Sequence, residues 1–135
     1  MEIKITFPGG KRVNAEIDGM TIPTDQSVKS GGDGSAPEPF KYFLASIGTC
    51  AGIYVLSFCQ KNNIPTEGLT LTQRLEYALD SGGKTYLSKI GIDINVPSSF
   101  PEKYHEAIIR VADQCAVKKA ILSPPEFAVR TVVSD

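Results

Sequence analysis

The chain has 135 residues, a formal net charge of −1, 41% hydrophobic residues and 21% charged residues. That is an ordinary globular balance, sufficient to bury a core without help from disulfides or metals. The basic residues are scattered, which leaves no electrostatic footprint for nucleic acid or an anionic membrane.

Ile3, Ile5 and Phe7 alternate with Glu2, Lys4 and Thr6, the period of a half-buried strand. Val13, Ala15 and Ile17 alternate in the same way. Asp18-Gly19 is a two-residue hairpin signal, and Met20 and Ile22 continue on the returning strand. These residues predict a three-stranded meander. Residues 25–39, DQSVKSGGDGSAPEP, read as a flexible flap beside a pocket. A phosphate-binding loop is disfavoured, because the Gly-Lys-Ser/Thr ending is missing.

From Phe40 to Asn63 the period becomes helical, with Phe40, Phe43, Leu44, Ile47, Ala51, Tyr54, Val55 and Phe58 on the apolar positions. Ala45, Gly48 and Gly52 form a stripe of small residues, which suggests close approach by another helix or by backbone. Lys41, Ser46, Thr49 and Ser57 interrupt the run, so it does not read as a membrane span. Pro65 is expected to end the helix.

Two strands follow, over Leu69–Leu79 and Ile90–Val96, joined by Ser81-Gly82-Gly83-Lys84. Pro101 suits the first turn of a second helix, whose apolar stripe runs Tyr104, Ala107, Ile108, Val111, Ala112 and Cys115. A short helical continuation stops before Pro124-Pro125. Phe127, Val129 and Val133 are expected to close the chain as a last strand. The predicted order is βββ-α-ββ-α-β, an α+β domain spanning residues 1–135.

The N-terminus has no basic stretch followed by an apolar run, so no signal peptide is expected. A reducing cytoplasm is the expected location, where the three cysteines read as free thiols or redox groups. One histidine, His105, and no Cys-x-x-Cys argue against a structural metal site. No cofactor is expected, and His105 reads as a surface residue. Cys50 and Cys59 are nine residues apart on one helix, about half a turn net, so they face opposite sides and cannot bridge. Cys59 reads as a packed core thiol. Cys115 is placed so that it could face Cys50. The plainer alternative is that all three are small buried hydrophobes.

The segment Gly34–Cys50, GSAPEPFKYFLASIGTC, resembles the first signature of the OsmC/Ohr family: a glycine-containing loop, a proline, then a long helix carrying a cysteine. Asp113–Ile121, DQCAVKKAI, is similar to the second, where a cysteine ends one helix and opens a short one. The resemblance covers essentially the whole chain. It implies an intertwined homodimer with central helices sandwiched between sheets. It also implies a thiol peroxidase reducing organic hydroperoxides or hydrogen peroxide. Cys50 would attack the peroxide, Cys115 would close a disulfide, and a dithiol reductant such as a lipoylated protein would reopen it. Arg12 matches the family's activating arginine by region. The family's orienting glutamate is replaced here by Phe40. That departure supports a second expectation, a non-enzymatic relative that binds a small apolar ligand at the dimer interface.

Overall fold

The computed structural model describes residues 1–134. The chain divides into two compact units, Met1–Ser46 and Ile47–Asp135.

The first unit holds an antiparallel meander of β1 (Lys4–Gly9), β2 (Arg12–Ile17) and β3 (Met20–Thr24). Asp18 and Gly19 both have positive φ, 49° and 76°, as the predicted two-residue turn requires. Ile5 pairs with Ala15, and Ala15 with Ile22, which sets these residues in one cross-strand row. Ile5 and Ile22 are nevertheless exposed, as are Ile3, Phe7 and Met20.

The helix α1 (Pro39–Lys61) starts in this unit and continues into the next. Pro39 opens it, where a missing N–H costs nothing. Its end is set by Asn63 rather than by Pro65. Asn63 has a left-handed φ of 55°, the N–H of Ile64 reaches the carbonyl of Cys59 at 2.8 Å, and Asn63 N–H reaches that of Gln60 at 3.3 Å. This is the paired hydrogen bonding of a Schellman stop, and Ile64 and Cys59 supply its hydrophobic contact.

In the second unit β4 (Thr70–Leu79) and β5 (Thr85–Asn95) form an antiparallel pair. The Asp80 carboxylate closes the turn by accepting from the N–H groups of Gly82 and Lys84, each at 2.9 Å. A short 3-10 turn (Glu102–Tyr104) leads into α2 (His105–Ala112), and α3 (Ala116–Leu122) follows. The core gathers Val55 and Cys59 from α1, Ile64, Phe100, and Ile108 from α2, with Leu71, Ile94 and Phe58 packed against it. Each such aliphatic or aromatic side chain contributes roughly 1.5–3 kcal/mol when fully buried.

Three expectations are corrected. The buried line of α1 is Ile47, Ala51, Val55 and Cys59, whereas Phe40, Phe43 and Tyr54 are exposed. Cys115 is not on the stripe of α2, because that helix stops at Ala112. The last strand does not form: Phe127, Val129 and Val133 lie in a stretch without regular structure and are exposed. A strand exists only through a ladder with a neighbour, and within one chain none pairs with this segment among the described residues.

Candidate active site

The half-turn offset along α1 separates its two cysteines as expected. Cys59 is wholly buried in the core, and burial alone pushes its thiol pKa up. Cys50 is half-buried and meets the start of α3 instead.

That start has an unusual division of donors. The first amides of a helix have no intrahelical partner. Here the N–H groups of Val117 and Ala116 lie beside the sulfur of Cys50 and favour its charged form. The next one, Lys118 N–H, donates to the sulfur of Cys115 at 3.4 Å. Cys115 is the N-cap of α3, with non-helical backbone (φ −46°, ψ 120°), and takes the capping position more often held by serine or threonine. Its thiol is buried, donates to the carbonyl oxygen of Ile47 at 3.7 Å, and lies beside Cys50, whose charged form it favours.

These contacts hold the Cys50 thiol below its ordinary pKa. The Val117 N–H contributes most. Burial opposes it, and the Cys115 thiol and the Ala116 N–H add to the lowering. The two cysteines of α1 are therefore driven in opposite directions, one toward a reactive thiolate and one toward an inert thiol.

Arg12 belongs to the first unit, on β2, where two loop side chains fix it. Its Nη2 donates to Asp33 Oδ2 at 2.8 Å and its Nε to Ser35 Oγ at 3.2 Å. Ser35 Oγ in turn donates to Asp25 Oδ2 at 2.6 Å. The guanidinium thus has a carboxylate partner, although Phe40 stands at the glutamate position. Phe40 itself is exposed and packs on Phe43, with ring centroids 5.4 Å apart.

Asp25 is the residue that sequence reasoning missed. It is fully buried and organises the segment read as a mobile flap. Its carboxylate accepts from the N–H groups of Gln26, Asp33 and Ser35, at 2.8, 3.3 and 3.0 Å, as well as from the Ser35 hydroxyl. The side-chain bond from Ser35 is the largest cause of a carboxyl pKa lowered to about 2, with the backbone donors adding and burial opposing. An aspartate opening a glycine- and serine-rich loop was the only available signal. His105 is exposed and stacks on Phe100 at 5.7 Å, as a surface residue. Among the described residues no three His, Cys, Asp or Glu side chains gather where a metal ion could be held.

Several solved structures share this fold. A protein of Psychrobacter arcticus named for osmotic stress induction and detoxification response superposes with a TM-score of 0.69 at 22% identity, over 87% of this chain and 85% of that one. An organic hydroperoxide resistance protein of Legionella pneumophila gives 0.54 at 20% identity, over 90% and 89%. The organic hydroperoxide resistance protein OhrB of Bacillus subtilis gives 0.52 at 17% identity, over 92% and 93%. No curated protein sequence matches the chain. The family model described as OsmC-like protein matches residues 32–130, a span that includes the Asp33 partner of Arg12, the whole of α1 with Cys50, and the Cys115 cap. With that match added to the shared fold, the chain belongs to the OsmC-like protein family.

Proposed function

We propose that this chain, acting as a single domain, is a thiol peroxidase for organic hydroperoxides or hydrogen peroxide. The observation that carries the reading is the Cys50–Cys115 pair, with Cys50 held toward thiolate by the amides of Val117 and Ala116. The thiolate attacks a peroxide oxygen, becomes a sulfenic acid and releases an alcohol or water. Cys115 then displaces the sulfenic oxygen and closes a disulfide, which a dithiol reductant such as a lipoylated protein reopens. Structural neighbours named for organic hydroperoxide resistance support this choice of substrate. Arg12, held by Asp33 and Ser35, is assigned the activating role. The test is peroxide-dependent oxidation of a dithiol, which the wild-type chain should support and Cys50→Ser should abolish. Equal rates for the two would defeat the reading.

A second reading rests on Phe40. An exposed aromatic pair with Phe43, in place of a carboxylate, suits a small apolar ligand in a non-enzymatic relative. Saturable binding of an apolar fluorophore, without peroxide-dependent dithiol oxidation, would favour it.

The working form is proposed to be a homodimer in a reducing cytoplasm. At 23 residues, α1 is long and apolar enough to cross a membrane by length and composition alone. One line of it, however, is already buried in protein, while Ile53, Tyr54 and Leu56 are exposed. A second copy is the proposed cover for those residues and for the unpaired tail around Phe127 and Val129. Light scattering that gives a stable monomer of 14.5 kDa would remove the dimer.

A further inference from the structure

The thiol of Cys115 has one proton and two acceptors. One is the carbonyl oxygen of Ile47, 3.7 Å away, and the other is the sulfur of Cys50. The amide of Lys118, 3.4 Å from the Cys115 sulfur, donates to it. Cys115 and Ile47 are both buried, which limits exchange of this proton with water from their side. The arrangement is that of an acid beside the nucleophilic sulfur, with its conjugate base already provided with a hydrogen-bond donor.

Resting on the peroxidase reading above, we infer that Cys115 also acts in the first half-reaction, as the general acid for cleavage of the peroxide bond, before it acts as the resolving nucleophile. The Cys50 thiolate attacks the terminal oxygen of a hydroperoxide ROOH. A sulfur–oxygen bond forms, the oxygen–oxygen bond breaks, and its electron pair leaves on the RO oxygen. The Cys115 proton passes to the departing RO oxygen, giving ROH, and the transferred oxygen keeps its own proton, giving Cys50–SOH and a Cys115 thiolate. That thiolate attacks the Cys50 sulfur, the sulfur–sulfur bond forms, and hydroxide leaves. Cys50 thiolate, Cys115 thiol and ROOH thus become disulfide, ROH and hydroxide, with charge and protons conserved. An alkoxide is a far stronger base than a thiolate, so the transfer runs downhill. The resolving nucleophile is generated only when a sulfenic acid exists for it to attack.

The test measures consumption of tert-butyl hydroperoxide in a single turnover by the reduced wild type, Cys115→Ser and Cys115→Ala across a pH series. Each rate is divided by the Cys50 thiolate fraction in the same sample, read from thiolate ultraviolet absorbance. This normalisation removes the loss of the Cys115 hydrogen bond as an explanation. The expected result is a normalised rate on the order of a hundredfold lower in both variants. The wild-type rate should also fall at the alkaline end of the series, a limb that both variants lack. Trapping of the Cys50 sulfenic acid by dimedone in the variants would show that they remain folded and competent to react. Either variant matching the normalised wild-type rate overturns the acid role while leaving peroxidase chemistry standing. A wild type that consumes no peroxide overturns the peroxidase reading and the acid role together.

Discussion

The backbone N–H of Val117 lies beside the sulfur of Cys50 and is the largest contribution holding that thiol below its ordinary pKa. Ala116 supplies a second N–H, and it follows Cys115, whose ψ of 120° tolerates a proline after it. Ala116→Pro should therefore leave α3 in place, since proline suits the first helical position, and remove one donor from Cys50. The Cys50 pKa should rise. An alkylation-rate titration with iodoacetamide would measure it, and an unchanged midpoint would take the Ala116 amide out of the site.

The groups that lower the Cys50 pKa all lie on residues 115–117. Arg12→Ala should then leave the Cys50 titration low while slowing peroxide turnover, if Arg12 serves the reaction after the thiolate has formed. The lost exposed ion pair with Asp33 should cost no more than about 1 kcal/mol in stability. Wild-type turnover in Arg12→Ala would make Arg12 a surface residue.

Asp25 ties stability to acid. Its folded pKa of about 2 lies below the ordinary 3.8, so its stabilisation is complete above the unfolded value and is lost as pH falls through about 2. Asp25→Asn turns one acceptor oxygen into a donor facing the donors of Gln26 or of Asp33 and Ser35. Its melting temperature should be lower at pH 7 and should converge with the wild type's as pH approaches 2. Parallel curves across that range would show that the carboxylate charge is not what holds the loop. A Cβ at Gly32 would overlap the Gln26 backbone carbonyl and lie 2.7 Å from Asp25 Oδ1. Gly32→Ala should accordingly lower stability by about 1–3 kcal/mol in urea titration.

Mild hydroperoxide should link Cys50 to Cys115 and spare Cys59, which is buried with its pKa raised. Peptide mapping after alkylation would read the pairing, and a bridge containing Cys59 would contradict it.

Local patterns predicted most of the elements and little of the site. The Asp18-Gly19 turn was legible because a two-residue hairpin demands positive φ from both residues. The same kind of rule misplaced the stop of α1, where proline at 65 is the louder signal but left-handed Asn63 closes the hydrogen bonds. The Asp25 loop was misread because its bonds span eight to ten residues and depend on burial, which no short-range rule encodes. The two cysteines could be paired only through family resemblance. Their contact lies between the middle of α1 and the cap of α3, and helical periodicity put Cys115 on the preceding helix instead. The tail around Phe127 has strand character in its sequence but lacks the neighbour that would make it one.

The three amides that open α3 bear on the redox balance of the pair. Val117 and Ala116 present their N–H groups to Cys50 and Lys118 donates to Cys115, and such contacts are strongest to a negatively charged sulfur. In the proposed peroxidase cycle, forming the disulfide removes that charge and weakens all three. The oxidised form gains no equivalent compensation, so the reduction potential of the couple shifts upward, toward a bridge that a mild dithiol can reopen. In that proposed cycle, seven residues of helix would set both how readily Cys50 is oxidised and how readily it is returned to the thiol.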